Sequence, residues 1–460
     1  MSELTIHRGS HQIGGCCTEI SCEGERILID LGANLPDSDA PIRDDELLAK
    51  VFDGRPAAGL LFTHPHGDHY GLYKKVPQNV PTYIGPMARE ILRILVHRLD
   101  YISDEKGLPA VERMQTYQDG KDMSAFQHIQ VRPLGVDHSA PDAYMFYIRT
   151  RGKKILFTGD FREHGIVGED GQFWDRVKEQ IPDGVDLLVT EGTLLTRGEA
   201  VKRNPIQTEE QLGVKAAELF QTHKYNFVMV SSTNLDSIME FYHHTPAEMC
   251  FVCDDYQAEV MLVAMRGRRT YSRYQAAPEH SVIYIPWKPW EGSTAKRQKA
   301  YVEKRCAYLR GLAKDWNIAL DFQVADSRLL YANGFVMLVR KNCNPNQKSV
   351  FEIMRDKFYL RDGQIIYSMW DGYLKPEHAD KALIDYIDGH PYKALHTSGH
   401  AYVETIAKLI ETVNPKVIIP MHTERAEEFS SIPEFARWKD RVKVLTDGEP
   451  LDLDEICAQV

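Results

Sequence analysis

Short apolar runs along this chain end repeatedly in a polar residue suited to metal or acid–base chemistry. AAGLLFTH runs into His64, VRPLGVDH into His138, KKILFTGD into Asp160, VDLLVTE into Glu191 and KVIIPMH into His422. Runs of about four to six apolar or β-branched residues predict buried strands, and polar residues at their ends predict strand tips gathered on one rim of a sheet. Helical periodicity alternates with these runs. In TEEQLGVKAAELFQTH, Thr208 and Gln211 form a capping-box pair, while Leu212, Ala216, Leu219 and Phe220 share one face. After Ser398-Gly399-His400, the residues Val403, Ile406, Ala407, Ile410 and Val413 line a helix that the pattern starts directly beyond His400. This alternation predicts a layered α/β architecture rather than an all-β barrel.

Length and composition narrow the class. At roughly 150 residues per domain, 460 residues suit two or three domains. A chain with 43% hydrophobic and 26% charged residues is neither fibrous nor extensively disordered. There is no run of about 18 uncharged apolar residues and no signal-type apolar region, which predicts no membrane association. Eight cysteines, at 16, 17, 22, 250, 253, 306, 343 and 457, are too few and too irregular for a disulfide framework and point to a reducing, cytoplasmic setting. Cys250-x-x-Cys253 lacks a second pair and reads as structural.

Charge is unevenly distributed. Lysine plus arginine number 55 and aspartate plus glutamate 66, a net charge of −11 that by itself disfavours a polyanionic partner. Between Met265 and Arg310, however, eleven basic residues face three acidic ones, among Tyr271, Tyr274, Tyr284, Trp287, Trp290, Tyr301 and Tyr308. Cations interleaved with aromatics suit a single-stranded nucleic acid track, although such a stretch also serves as an ordinary solvated face.

The chemistry concentrates in Thr63-His64-Pro65-His66-Gly67-Asp68-His69. A loop after a strand can turn His64 and His66 toward one ion, with Asp68 and His69 toward a second, because imidazole and carboxylate both suit zinc. Two ions need more ligands, and His138, Asp160 and His422 at other strand ends supply them. Packing the four loop residues together without a cation would leave desolvated polar groups poorly paired.

This order of residues resembles the metallo-β-lactamase superfamily, whose signature is His-x-His-x-Asp-His followed by separate His, Asp and His ligands. The resemblance implies an αββα sandwich holding two zinc ions, with manganese or magnesium as alternatives. His64, His66 and His138 match the family's first metal site, Asp68, His69 and His422 the second, and Asp160 the bridging carboxylate. Val189-Thr-Glu-Gly-Thr193 resembles the acidic motif of the β-CASP nuclease branch, and His396-Thr-Ser-Gly-His400 resembles the histidine motif of its ribonuclease J members. An inserted α/β β-CASP domain is thereby expected at 204–367, within a metallo-β-lactamase domain formed by 1–203 and 368–460.

The implied function is hydrolysis of phosphodiester bonds in single-stranded RNA, with DNA left open and a homo-oligomer compatible. Asp68 would orient or deprotonate the attacking water. His400, at a helix start, would bind the phosphate and protonate the leaving group, held in place by Glu191. His396 and Ser398 would add phosphate contacts. Ser232 and Thr233, after the strand NFVMV, read first as helix caps and second as phosphate contacts. Two departures stand out: the chain ends 38 residues after His422, short of the C-terminal domain usual in ribonuclease J, and the family's glycine-rich RNA-holding loop is absent, with Asn342–Gln347 its nearest counterpart. A hydrolase of a small ester, thioester or lactone would use the same metal residues. A binding scaffold with vestigial chemistry is disfavoured by the complete ligand set.

Overall fold

The computed structural model describes residues 2–35, 41–100, 106–169, 171–195, 204–287, 295–341 and 348–456. The chain forms two compact units, Met1–Pro205 together with Ser398–Val460, and Ile206–Thr397.

The first unit is built on two sheets. One has seven strands in the order Pro450–Asp452, Ser2–Arg8, Cys17–Cys22, Glu25–Ile29, Gly59–Leu61, Thr82–Ile84 and Gln115–Thr116. The other has five, in the order Val417–Met421, Leu187–Glu191, Lys153–Phe157, Ala143–Thr150 and Ile129–Val136. Alternation along each strand sets the layering, since successive side chains point to opposite faces. Leu187, Val189, Ile155, Phe157 and Ile419 share a core with Leu4, Ile20, Ile27 and Leu61 of the first sheet. Their neighbours Leu188, Leu156 and Ile418 turn the other way and pack on helices Gln172–Gln180 and Val403–Val413. On the outer face of the seven-stranded sheet, Leu28 and Leu60 meet helices Asp44–Val51 and Pro86–Leu99. The result is an αββα sandwich.

In the five-stranded sheet, Lys153–Phe157, Leu187–Glu191 and Val417–Met421 run parallel, with Val189 opposite Phe157 and Glu191 opposite Met421. Asp160, Glu191 and His422 therefore leave the sheet on the same side.

The second unit carries a wholly parallel seven-stranded sheet, ordered Asp321–Val324, Val282–Ile285, Cys250–Val252, Phe335–Val339, Tyr225–Val230, Gly363–Ser368 and Tyr392–Ala394. Its central strands are buried along their whole length, as a parallel sheet requires. The last two strands put residues 368–397 in this unit. Thr208 caps helix Glu209–Phe220 by accepting from the Gln211 backbone N–H, but the Gln211 side chain accepts from the backbone N–H of Gln207 rather than that of Thr208.

The basic stretch of this unit has several of its arginines paired among the described residues. The acidic partners of Arg268, Arg273 and Arg305 lie upstream on two helices, Leu235–His243 and Asp255–Gly267. Arg268 pairs with Asp236 at 3.0 Å and donates to Tyr274 Oη at 2.7 Å, and Tyr274 is fully buried. Arg273 meets Glu240 at 3.3 Å, and Arg305 pairs with Asp255 at 2.8 Å and Glu259 at 2.6 Å. Arg310 donates to the Phe322 carbonyl at 2.6 Å. Lys288, Trp290 and Glu291 lie outside the described residues, as does Asn342–Gln347. Among the described residues six cysteines, Cys250 and Cys253 included, are buried free thiols, and no helix is long and apolar enough to cross a membrane.

Candidate metal centre

Seven of the residues singled out in the sequence meet at the strand tips of the first unit. The rings of His64 and His138 are 4.6 Å apart by their centroids, and His138 Nε2 lies 3.2 Å from His66 Nδ1. The donors of His64, His66 and His138 all fall within 4.8 Å of one another. Asp160 sits centrally. Its Oδ2 is 3.8 Å from His64 Nε2 and 3.2 Å from His69 Nε2, while its Oδ1 is 3.7 Å from His422 Nδ1. Asp68 Oδ2 lies 3.3 Å from His422 Nε2. The mutually close donor group on that side is Cys16, His69 and His422.

Surrounding groups orient the imidazoles through their Nδ1 atoms, an arrangement typical of metal ligands. Thr63 Oγ1 lies 3.0 Å from Nδ1 of His64, Asp30 Oδ2 lies 2.8 Å from that of His69, the Gly399 carbonyl 2.5 Å from that of His138, and Thr193 Oγ1 2.7 Å from that of His422. The Nε2 atoms are left facing inward. Those of His64 and His69, together with Asp160 Oδ1, are buried without a hydrogen-bond partner. Buried polar atoms are almost always satisfied, so three orphans converging on one point fit a cation. His422 also holds a left-handed backbone at φ +53°, a strained state for a histidine, and its N–H donates to the Gly9 carbonyl at 2.7 Å.

Electrostatics divide the centre in two. Burial, reinforced by neighbouring imidazoles, holds His64 and His138 well below the ordinary histidine value, and burial brings His66 down to about 4. All three present neutral donors. On the other side burial again opposes charge, yet Asp160 outweighs it and holds His69 and His422 well above that value. Asp160 and Asp68 are in turn drawn far below the carboxylate range, against burial, by those histidines. The three neutral imidazoles beside the buried Asp160 carboxylate suit divalent metal, and on the other side a cation would take the place of the protons on His69 and His422.

Asp30 went unnoticed in the sequence although ILID repeats the pattern of an apolar run ending in a carboxylate. It accepts from Thr63 N–H at 2.7 Å and from Thr63 Oγ1 at 2.8 Å while bonding His69, so it ties two loop residues together. An Asp30→Asn protein is expected to bind metal about 10–100-fold more weakly. Competition with a chelator measures this, and unchanged affinity would refute the role.

His400 adjoins the centre. Its Nδ1 lies 3.0 Å from Glu191 Oε2 and 3.6 Å from Asp160 Oδ2, and its side chain remains about a quarter exposed. Glu191 Oε1 accepts from Phe161 N–H at 2.9 Å and Ala401 N–H at 3.4 Å, so the carboxylate is itself anchored. The helix beyond starts at Val403 with Tyr402 as its N-cap, two residues later than the apolar pattern suggested. His400 thus precedes the helix, and its N–H donates to Ser398 Oγ at 3.1 Å instead of lying free at a helix terminus.

The Ser398 carbonyl accepts from Arg162 Nη1 at 2.9 Å and lies 2.8 Å from His164 Nε2. Arg162 is fully buried and pairs with the equally buried Asp137 at 3.2 Å. Removing one partner of a buried ion pair strands the other charge. An Arg162→Ala protein is therefore expected to lose about 3–5 kcal/mol of stability, read from its denaturant midpoint; a loss below about 1 kcal/mol would show that water replaces the pair.

Three predicted contacts fall in the other unit. Ser232, Thr233 and His396 belong to the Ile206–Thr397 unit. Helix Leu235–His243 has Asn234 at its N-cap with no side-chain cap bond, so the hydroxyls of Ser232 and Thr233 do not cap it; Thr233 Oγ1 lies 3.2 Å from Ser231 Oγ. His396 is half-buried.

Histidine and carboxylate donors gathered on the strand tips of an αββα sandwich define a metallo-hydrolase. Residues 25–264, more than half of the chain, match the family model described as "Beta-lactamase superfamily domain", and the chain belongs to that superfamily, in its β-CASP, ribonuclease J-like branch. Residues 391–431, which include His400 and His422, match the model described as "Zn-dependent metallo-hydrolase RNA specificity domain". Ribonuclease J of Helicobacter pylori (strain ATCC 700392 / 26695) is 20% identical over 437 residues, covering 92% of this chain and 56% of that protein. Ribonuclease J 1 of Streptococcus pyogenes serotype M3 is 28% identical over 195 residues, 40% of this chain and 32% of that one. The chain thus spans little more than half the length of the Helicobacter relative. A crystal structure of a protein of unknown function from Enterococcus faecalis V583 shares the fold across 98% of this chain and 99% of its own, with a TM-score of 0.67 and 19% identity.

Proposed function

We propose that this protein is a di-zinc ribonuclease that hydrolyses phosphodiester bonds of single-stranded RNA. The observation that carries the reading is the His400–Glu191 pair, 3.0 Å apart beside Asp160, because hydrolysis of a small ester needs no second acid at this place. The match of residues 391–431 to an RNA specificity domain supports the substrate class.

His64, His66 and His138 would hold one metal, His69, His422 and Asp68 the other, with Asp160 between them. When bound, the metals supply positive charge that acidifies a water molecule and neutralises phosphoryl oxygens. Asp68 orients the attacking water. His400 uses Nδ1 to bond Glu191, which leaves Nε2 as the atom that gives its proton to the departing oxygen. Glu191 acts as a positioning residue through its own backbone anchors. Ser398 Oγ accepts from His400 N–H, so its own proton is free to meet a phosphate oxygen.

The test is incubation of purified, metal-analysed protein with labelled single-stranded RNA and DNA bearing 5′-triphosphate, monophosphate or hydroxyl ends. RNA cleavage that a chelator abolishes is expected, with mononucleotides marking exonucleolytic and discrete fragments endonucleolytic action. Inertness toward every nucleic acid, with turnover of a thioester or lactone, would overturn the reading.

A further inference from the structure

The donor group on the His422 side contains a residue that the proposed reaction leaves unused. Cys16, His69 and His422 hold their ligand atoms within 4.8 Å of one another. Cys16 is 1% exposed, and Nε2 of the equally buried His69 has no hydrogen-bond partner.

Backbone bonds fix the cysteine there. Cys16 N–H donates to the carbonyl of Asp68 at 3.0 Å, Gly32 N–H donates to the carbonyl of Cys16 at 2.9 Å, and Leu31 N–H donates to the carbonyl of His69 at 2.8 Å. A Cβ on Gly32 would stand 1.7 Å from the Asp68 carbonyl oxygen, so this close approach of loops requires glycine. From the other side, the Gly9 carbonyl that receives the His422 N–H belongs to a residue whose Cβ would lie 3.3 Å from Cys16 Sγ. The thiol is thus tethered to the same backbone that carries Asp68, His69 and His422.

We propose that Cys16 is a sulfur ligand of the metal position it shares with His69 and His422. The inference rests on the di-metal centre of the proposed function but not on RNA as substrate. On ligation the Cys16 S–H bond breaks, a sulfur–metal bond forms and the proton leaves to the buffer, as metal binding to thiols releases protons. A thiolate in the donor set favours zinc over manganese and magnesium, which take oxygen ligands. The adjacent Cys17 packs in the apolar cluster with Leu28, Leu31 and Leu60 and serves as the control.

Cobalt(II) reports the difference directly, because thiolate ligation adds an intense near-ultraviolet charge-transfer band to its weak visible absorption. The cobalt-loaded wild-type protein is expected to show the band, Cys16→Ser to lose it while keeping bound cobalt, and Cys17→Ala to retain it. Bound cobalt without the band in the wild-type protein overturns the sulfur ligand alone. So does a band that survives in Cys16→Ser or vanishes in Cys17→Ala. If Cys16→Ser does not fold, the wild-type spectrum and Cys17→Ala still decide. A protein that takes up no cobalt overturns both this ligand and the metal centre, whereas the band together with inertness toward RNA leaves the ligand standing and removes only the substrate.

Discussion

Alanine in place of Asp160 is expected to cost the protein its bound metal and, with it, the proposed hydrolytic activity. The carboxylate reaches His64, His69, His400 and His422, each within 3.8 Å, and is the negative charge common to both donor groups. Without it His69 would keep Asp30 and His422 would keep Asp68, but no carboxylate would join the two donor groups, and cation binding there would lose its main electrostatic support. Loss of metal forfeits several kcal/mol of transition-state stabilisation, so turnover should fall by about 10³-fold or more. Elemental analysis and turnover on one preparation check this; near-normal metal content in Asp160→Ala would refute the central position of the carboxylate.

Alanine in place of His400 should separate chemistry from metal binding. The imidazole lies at the edge of the donor set and is held by Glu191, so its removal is expected to leave the metals in place. A positioned general acid contributes about 10²–10⁴-fold, and kcat should fall by that amount with little change in KM. Glu191→Gln should fall by less, since the imidazole remains but loses its anchor. A metal-replete His400→Ala protein cleaving RNA at the wild-type rate would end the assignment.

Much of the centre was legible because strand tips leave a plain trace: a short continuous apolar run, then a residue of metal or acid–base type. His64, His138, Asp160, Glu191 and His422 all followed that rule. Asp30 obeys it as well, but a carboxylate that orients a histidine looks in the sequence like any other strand-end carboxylate. Cys16 left no trace, since its closeness to His69 depends on Gly32 letting two loops touch. The pairings of the basic stretch were illegible for a related reason. Arg268, Arg273 and Arg305 answer Asp236, Glu240, Asp255 and Glu259, residues 32 to 50 positions upstream, and pairing at that range is set by helix packing rather than by any local pattern. The helix start at Val403 was displaced because Glu191 and Ser398 take up the N–H groups of Ala401 and His400.

The position of the strand Val417–Met421 has a consequence for synthesis. It completes the edge of the five-stranded sheet beside Leu187–Glu191, yet it is made only after the whole of Ile206–Thr397. At about 5–20 residues per second, a ribosome takes roughly 10–50 s to get from one strand to the other. Through that interval the Leu187–Glu191 edge offers unpaired backbone groups, a liability in a nascent chain, and the His422 side of the centre does not yet exist. Until Val417–Met421 is made, a nascent chain therefore carries only part of the donor set.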